Sequence, residues 1–144
     1  MADPVRFKRA ALIVADLDRS LALYRDALGF TLQSIKNSAA DSYSYDIFGI
    51  PRDAVLRMAA LDGPEGQERT LALIEVRPAQ PSPARPTAAT VIELADIDGA
   101  LARVAQLPDV TVLPERELVT HDGRTGREIG LIDPDGHATV LYRV

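Results

Sequence analysis

The chain has 144 residues, which suits one compact domain or two small modules sharing a core. Hydrophobic residues make up 47% and charged residues 26%, enough for a core without staples, and the formal net charge of −5 carries no basic stripe of the kind a nucleic-acid binder needs. There is no cysteine, which excludes disulfides, thiolate nucleophiles and Cys-ligated metal centres.

At the N-terminus Arg6, Lys8 and Arg9 precede an apolar run from Ala10 to Ala15, which stops at Asp16. That run is shorter than a secretory h-region, and no later stretch approaches the length of a membrane span. The expectation is a cytoplasmic protein without a membrane partner.

Ala10 to Val14 reads as a short strand covered on both faces. Asp16 is placed to cap a helix, since its carboxylate accepts from the free N–H groups of a first turn. Leu17, Leu21, Tyr24 and Leu28 then follow helical spacing, and Gly29 is suited to end the helix in a left-handed conformation. Strands are predicted over Phe30 to Ile35, Ser42 to Ile47, Val55 to Leu61 and Thr70 to Val76, with the stretch from Leu61 to Arg69 as a turn. Pro78, Pro81, Pro83 and Pro86 mark an extended linker. Beyond it come a strand from Thr90 to Leu94, a helix capped by Asp96 with Ile97, Leu101, Val104 and Leu107 on one face, and Pro108 as its terminator. Four strands follow, over Val110 to Leu113, Leu118 to Thr120, Glu128 to Ile132 and Ala138 to Tyr142, with turn signals at Asp122-Gly123 and Asp135-Gly136.

The two halves match at an offset of 80 residues. Ala15 meets Ala95, Asp16 meets Asp96, Asp18 meets Asp98, Ala22 meets Ala102 and Thr31 meets Thr111, and the apolar rhythm is kept between them. Two copies are too few for a solenoid, so paired modules are expected: residues 1–77, a linker over 78–87, and residues 88–144.

The segment VADLDRSLALYRDALGF resembles the opening strand and helix of the glyoxalase/bleomycin-resistance/dioxygenase superfamily, also called vicinal oxygen chelate proteins. DPDGHATVLYRV resembles the closing strand of that superfamily. The resemblance covers nearly the whole chain. It implies an α+β fold of two tandem βαβββ modules, with curved, cup-like mixed sheets and helices outside, and it implies a homodimer. The superfamily includes lyases, isomerases, ring-cleaving dioxygenases and drug-binding resistance proteins, so fold alone does not deliver function.

In metal-dependent members the resemblance places ligands on the first and last strands of each module. The corresponding residues here are Arg9, Glu75, Ala89 and Val140. Only Glu75 has a donor suited to a cation, whereas a catalytic metal takes about three protein ligands. The expectation is therefore no metal and no cofactor, with Arg9 paired to Glu75 where the metal would lie. Arg9 then reads either as an anchor for a ligand carboxylate or enolate, or as half of a structural ion pair.

Other candidates are weighed in the same way. His121, before the Asp122-Gly123 turn, is a general acid–base candidate or a solvated side chain. His137 reads as a turn-associated side chain. Tyr43, Tyr45, Phe48, Arg57 and Met58 are either core or the lining of an aromatic pocket, with Tyr45 and Arg57 as ligand contacts. Asp16, Asp18, Asp96 and Asp98 fit first-turn roles, and Asp133 and Asp135 fit a turn.

Three functions follow: a metal-free binder of a small, anionic or aromatic molecule; a metal-free enzyme using Glu75, Arg9 or His121 for proton transfer; and a metal-dependent lyase, isomerase or dioxygenase, which the ligand count opposes.

Overall fold

The computed structural model describes residues 6–144. The first half contains β1 (Ala10–Val14), α1 (Leu17–Leu21, running on as a π-helical turn over Ala22–Ala27), β2 (Thr31–Asn37), α2 (Ser44–Phe48), β3 (Val55–Asp62) and β4 (Leu71–Arg77). The second contains β5 (Ala89–Glu93), α3 (Ile97–Val104), β6 (Thr111–Val112), β7 (Arg116–Val119), β8 (Thr125–Ile132) and β9 (Ala138–Arg143). The first sheet has the order β1-β4-β3-β2, and the second β5-β9-β8-β6, with β7 also on β8. In each sheet the first strand lies parallel to the last and the remaining pairs are antiparallel. This is an α+β fold built from two open sheets of the same plan.

The shared plan starts from shared local chemistry. The Asp16 carboxylate accepts from Arg19 N–H at 3.2 Å, and that of Asp96 accepts from Gly99 N–H at 2.9 Å, so each aspartate starts its helix. Gly29 has φ +89°, the left-handed geometry that ends the first helix. The π-turn before it, closed by Leu28 N–H to Leu23 C=O at 2.9 Å, lets Leu23 and Tyr24 both be buried.

The main core lies between the halves. Leu17, Leu21, Tyr24 and Leu28 pack with Leu61, Leu71 and Leu73, and across the joint with Ile97, Val104, Ile129, Leu131 and Leu141. A second cluster covers the other face of the first sheet: Tyr45, Ile50 and Ala54 pack over Ile13, Leu56, Met58, Ile74 and Val76.

That second cluster corrects one expectation. The predicted strand from Ser42 to Ile47 is largely the helix α2, so Tyr45 and Phe48 lie on a helix, with Tyr43 at its N-cap. The alternation in Ser-Tyr-Ser-Tyr suggested a strand, but local capping decides the matter. The Ser42 hydroxyl accepts from Ser44 N–H, and Gly49 at φ +62° closes the C-terminus. The other expected elements form, with β7 and β8 starting earlier than read from the sequence. In the second half, Pro114 separates β6 from β7, and Leu113 N–H keeps the ladder to Gly130 C=O at 2.8 Å.

Residues 38–54 connect β2 to β3 and supply the cover for the first sheet, whereas the β7–β8 turn has only residues 120–124. The second sheet consequently has an uncovered face. On that face Val91, beside Val140 in the β5–β9 register, is 61% exposed.

Candidate ligand-binding site

Strand parity decides which way each sequence candidate points. On β4, Leu71 and Leu73 belong to the core under α1, and Ile74 and Val76 to the cluster under α2. Glu75 shares the parity of Leu71 and Leu73 and faces α1. Its carboxylate accepts from Leu17 N–H at 2.7 Å, at the start of that helix. Arg57, its cross-strand partner on β3, approaches to 3.3 Å, and Arg77 to 3.0 Å. Burial pushes the carboxyl pKa up, but the Leu17 N–H and the two guanidinium groups outweigh that and hold it below the usual value.

Arg9 does not pair with Glu75. Val14, not Arg9, lies beside Glu75 in the β1–β4 register, and Arg9 precedes Val14 by five residues. At about 3.3 Å per residue that is roughly 16 Å along the strand. The Arg9 Nε–H donates to Arg69 C=O at 3.2 Å instead. Arg9 lies one residue before β1 and Glu75 near the far end of the neighbouring β4, so the two fall at opposite ends of the strand pair.

Tyr45 is a core residue. Its hydroxyl donates to Ala54 C=O at 2.6 Å and Arg52 stacks on its ring at 5.2 Å. Tyr43 is 71% exposed. His121 is exposed in the β7–β8 turn, the turn that also holds the Asp122–Arg124 ion pair. The expected sites Arg9, Glu75, Tyr45, Arg57 and His121 are thus not gathered into one pocket; only Glu75 and Arg57 meet.

One space available to a ligand lies on the uncovered face of the second sheet. A cavity of about 370 Å³ is bounded by Leu113, Pro114, Arg116, Glu128, Gly130 and Val140. Gly130 and Val140 pair across β8 and β9, as Glu128 and Arg116 pair across β8 and β7. A side chain at Gly130 would press on Leu113 Cδ1 at 2.9 Å, so the absence of one keeps the floor open. On β9's other side Val140 neighbours Val91, and Tyr142 O–H donates to Glu93 at 3.1 Å. The β5 residues also line a cleft of about 420 Å³ that reaches Phe7, Phe30, Pro64 and Leu71. This face escaped the sequence reading because it is defined by the lack of a cover. Its available signal was the parity of Ala138, Val140 and Tyr142 against the buried Thr139 and Leu141.

The donors do not fit a divalent metal. Ala89 and Val140 have no ligand atom, Arg9 is bonded to a carbonyl, and Glu75 is turned to the helix side and neutralised by two arginines. Among the described residues no three His, Asp or Glu side chains converge as a metal site would require.

The sheet order, the paired Asp-capped helices and the Asp133–Gly136 turn now stand together with a sequence comparison. A profile of the Glyoxalase/Bleomycin resistance protein/Dioxygenase superfamily matches residues 6–141. The chain belongs to this superfamily. No curated protein matches it. Among solved structures, a glyoxalase family protein from Bacillus cereus is similar at TM-score 0.73 and 16% identity, over 98% of this chain and 95% of that one. The fosfomycin resistance protein FosX from Listeria monocytogenes, solved with Mn(II) and sulfate, is similar at TM-score 0.59 and 16% identity, over 100% and 94%. The trypanothione-dependent glyoxalase I of Leishmania major gives TM-score 0.62 and 18% identity, over 96% and 86%. At these identities the likeness carries the fold, and the chemistry has to come from this superfamily member's own residues.

Proposed function

We propose that this superfamily member binds a small molecule on the uncovered face of its second sheet without a resident metal. The observation that carries the reading is the 370 Å³ cavity over Gly130 and Val140, walled by Leu113 and Pro114 and edged by Arg116 and Glu128. Its size falls in the range of ligand pockets. Arg116 is the cation of this lining and supplies a handle for an anionic group on an aromatic or aliphatic body. The earlier ligand candidates Arg57 and Glu75 neutralise each other under α1 and serve the fold. A proton-transfer role for Glu75 has no support, because its oxygens are engaged by Leu17, Arg57 and Arg77.

Exposed apolar side chains on both faces of the second sheet, Val91, Val112, Leu113 and Val119, support a homodimer. No helix among the described residues is long and apolar enough to cross a membrane, which is compatible with the cytoplasmic location expected from the sequence.

The test is a thermal-shift screen of small carboxylates and aromatics, combined with mass spectrometry of molecules that co-purify. A hit should raise Tm in the metal-free protein and lose that effect in Val140→Trp. Hits that act only with added metal, or equally in Val140→Trp, would overturn the reading.

A further inference from the structure

The uncovered face of the second sheet orders its side chains in rows, because residues paired in register project to the same side. One row crosses four strands: Arg116 on β7, Glu128 on β8, Tyr142 on β9 and Glu93 on β5. The next row, two residues along, is apolar, with Gly130, Val140 and Val91. The cavity of about 370 Å³ spans both rows, reaching Arg116 and Glu128 in the first and Gly130 and Val140 in the second.

Two charges of the polar row are not used by the fold. On the helix side of the same strands, Arg127 bonds Asp98 of α3 at 2.9 Å and Glu115 at 2.7 Å. In the polar row itself, Tyr142 O–H donates to Glu93 at 3.1 Å. Arg116 and Glu128 stand opposite each other in the β7–β8 register, yet among the described residues neither side chain has an ion-pair or hydrogen-bond partner. A guanidinium and a carboxylate therefore rise from neighbouring strands, about 5 Å apart at their bases, at the polar end of an apolar cavity.

We infer that the ligand of this cavity is an α-amino acid with a bulky apolar side chain, an assignment that rests on the small-molecule reading above and names the ligand class for the same site. Arg116 takes the carboxylate, Glu128 takes the ammonium, and the side chain lies over Gly130 and Val140. An α-amino acid carries both charges on one carbon, each about 1.5 Å from it, so the two reach neighbouring strands at once. A planar guanidinium matches a carboxylate bidentately. A ligand with a carboxylate alone would set its charge one strand from Glu128, like beside like, and an amine alone would meet the same repulsion from Arg116. Gly130 leaves room for the apolar part, since a Cβ there would come within 2.9 Å of Leu113 Cδ1. That room lies roughly 7 Å along the strands from the charged row.

The experiment titrates the full chain calorimetrically with L-phenylalanine, with 3-phenylpropionate, which lacks the ammonium, and with 2-phenylethylamine, which lacks the carboxylate. L-Phenylalanine should bind at least about tenfold more tightly than either. Glu128→Gln should bring 3-phenylpropionate level with L-phenylalanine, Arg116→Gln should do so for 2-phenylethylamine, and Val140→Trp should weaken all three. If 3-phenylpropionate matches L-phenylalanine in the native chain and both are weakened by Val140→Trp, the amino-acid assignment falls while the binding site stands. L-Phenylalanine binding that Val140→Trp leaves unchanged would overturn both. No binding of L-phenylalanine at about 10 mM would overturn the assignment, whichever other molecules the cavity accepts. The native-chain titrations decide the outcome even where a variant does not fold.

Discussion

The Glu75 carboxylate lies 2.7 Å from the backbone N–H of Leu17, bonding the last strand of the first sheet to the start of the helix that crosses it. This contact places a buried anion at a helix N-terminus, where orphan N–H groups and the helix dipole favour negative charge. Glu75→Ala should cost about 2–4 kcal/mol, because it frees a buried N–H and leaves Arg57 without its partner. Urea unfolding measures this; a change within experimental error would refute the role.

Acid should weaken the same contact. The Glu75 pKa is lowered in the fold, so its contribution is fully present above the ordinary value of 4.5 and is lost as pH falls from there through the folded value. The stability difference between the native chain and Glu75→Gln should therefore shrink below about pH 4.5. A difference that grows on acidification would contradict the assignment.

Tyr24→Phe removes the hydroxyl that Asp133 Oδ2 accepts from at 2.6 Å across the joint. The phenol pKa is driven up by burial and by the Asp133 charge, so Tyr24 stays a donor throughout the accessible pH range. The variant should lose about 2–3 kcal/mol, since a buried carboxylate oxygen is left unpaired. Retention of native stability in Tyr24→Phe would show that the bond is not formed in solution.

Metal addition should leave the protein unchanged. Zinc, manganese or nickel at twofold excess should give no rise in Tm, and elemental analysis of purified protein should find less than stoichiometric metal. Stoichiometric metal that stabilises the fold and is lost with Glu75→Gln would revive the metalloenzyme reading.

Filling the uncovered cavity should separate binding from folding. Val140→Trp places an indole over Gly130, on a face that carries no packed cover. The change should lower affinity for any ligand found there at least about tenfold, a loss of roughly 1.4 kcal/mol, while Tm moves little. Unchanged affinity would move the site elsewhere.

The sequence by itself determined the two-unit plan. Asp16 and Asp96 start equivalent helices, Gly29 ends one of them, Thr31 and Thr111 both begin the strand after the helix, and the proline-marked linker separates the units. These features are local, written in caps, turns and periodicity that a few neighbouring residues satisfy among themselves. Only the tertiary structure decided what the charged residues face. A strand's alternation states that Glu75 and Ile74 point opposite ways, but not which side the helix will cover. Nor does it state that α2 will cover the other. Register placed Val14 rather than Arg9 beside Glu75, and it gave that carboxylate Arg57 as its partner. Asp135 finds Ala15 across 120 residues of chain, because the main core buries apolar surface from both halves and brings that turn against the start of α1. Burial is non-directional and acts over the whole surface, so its outcome is fixed by how two complete units pack together, and no single segment records it.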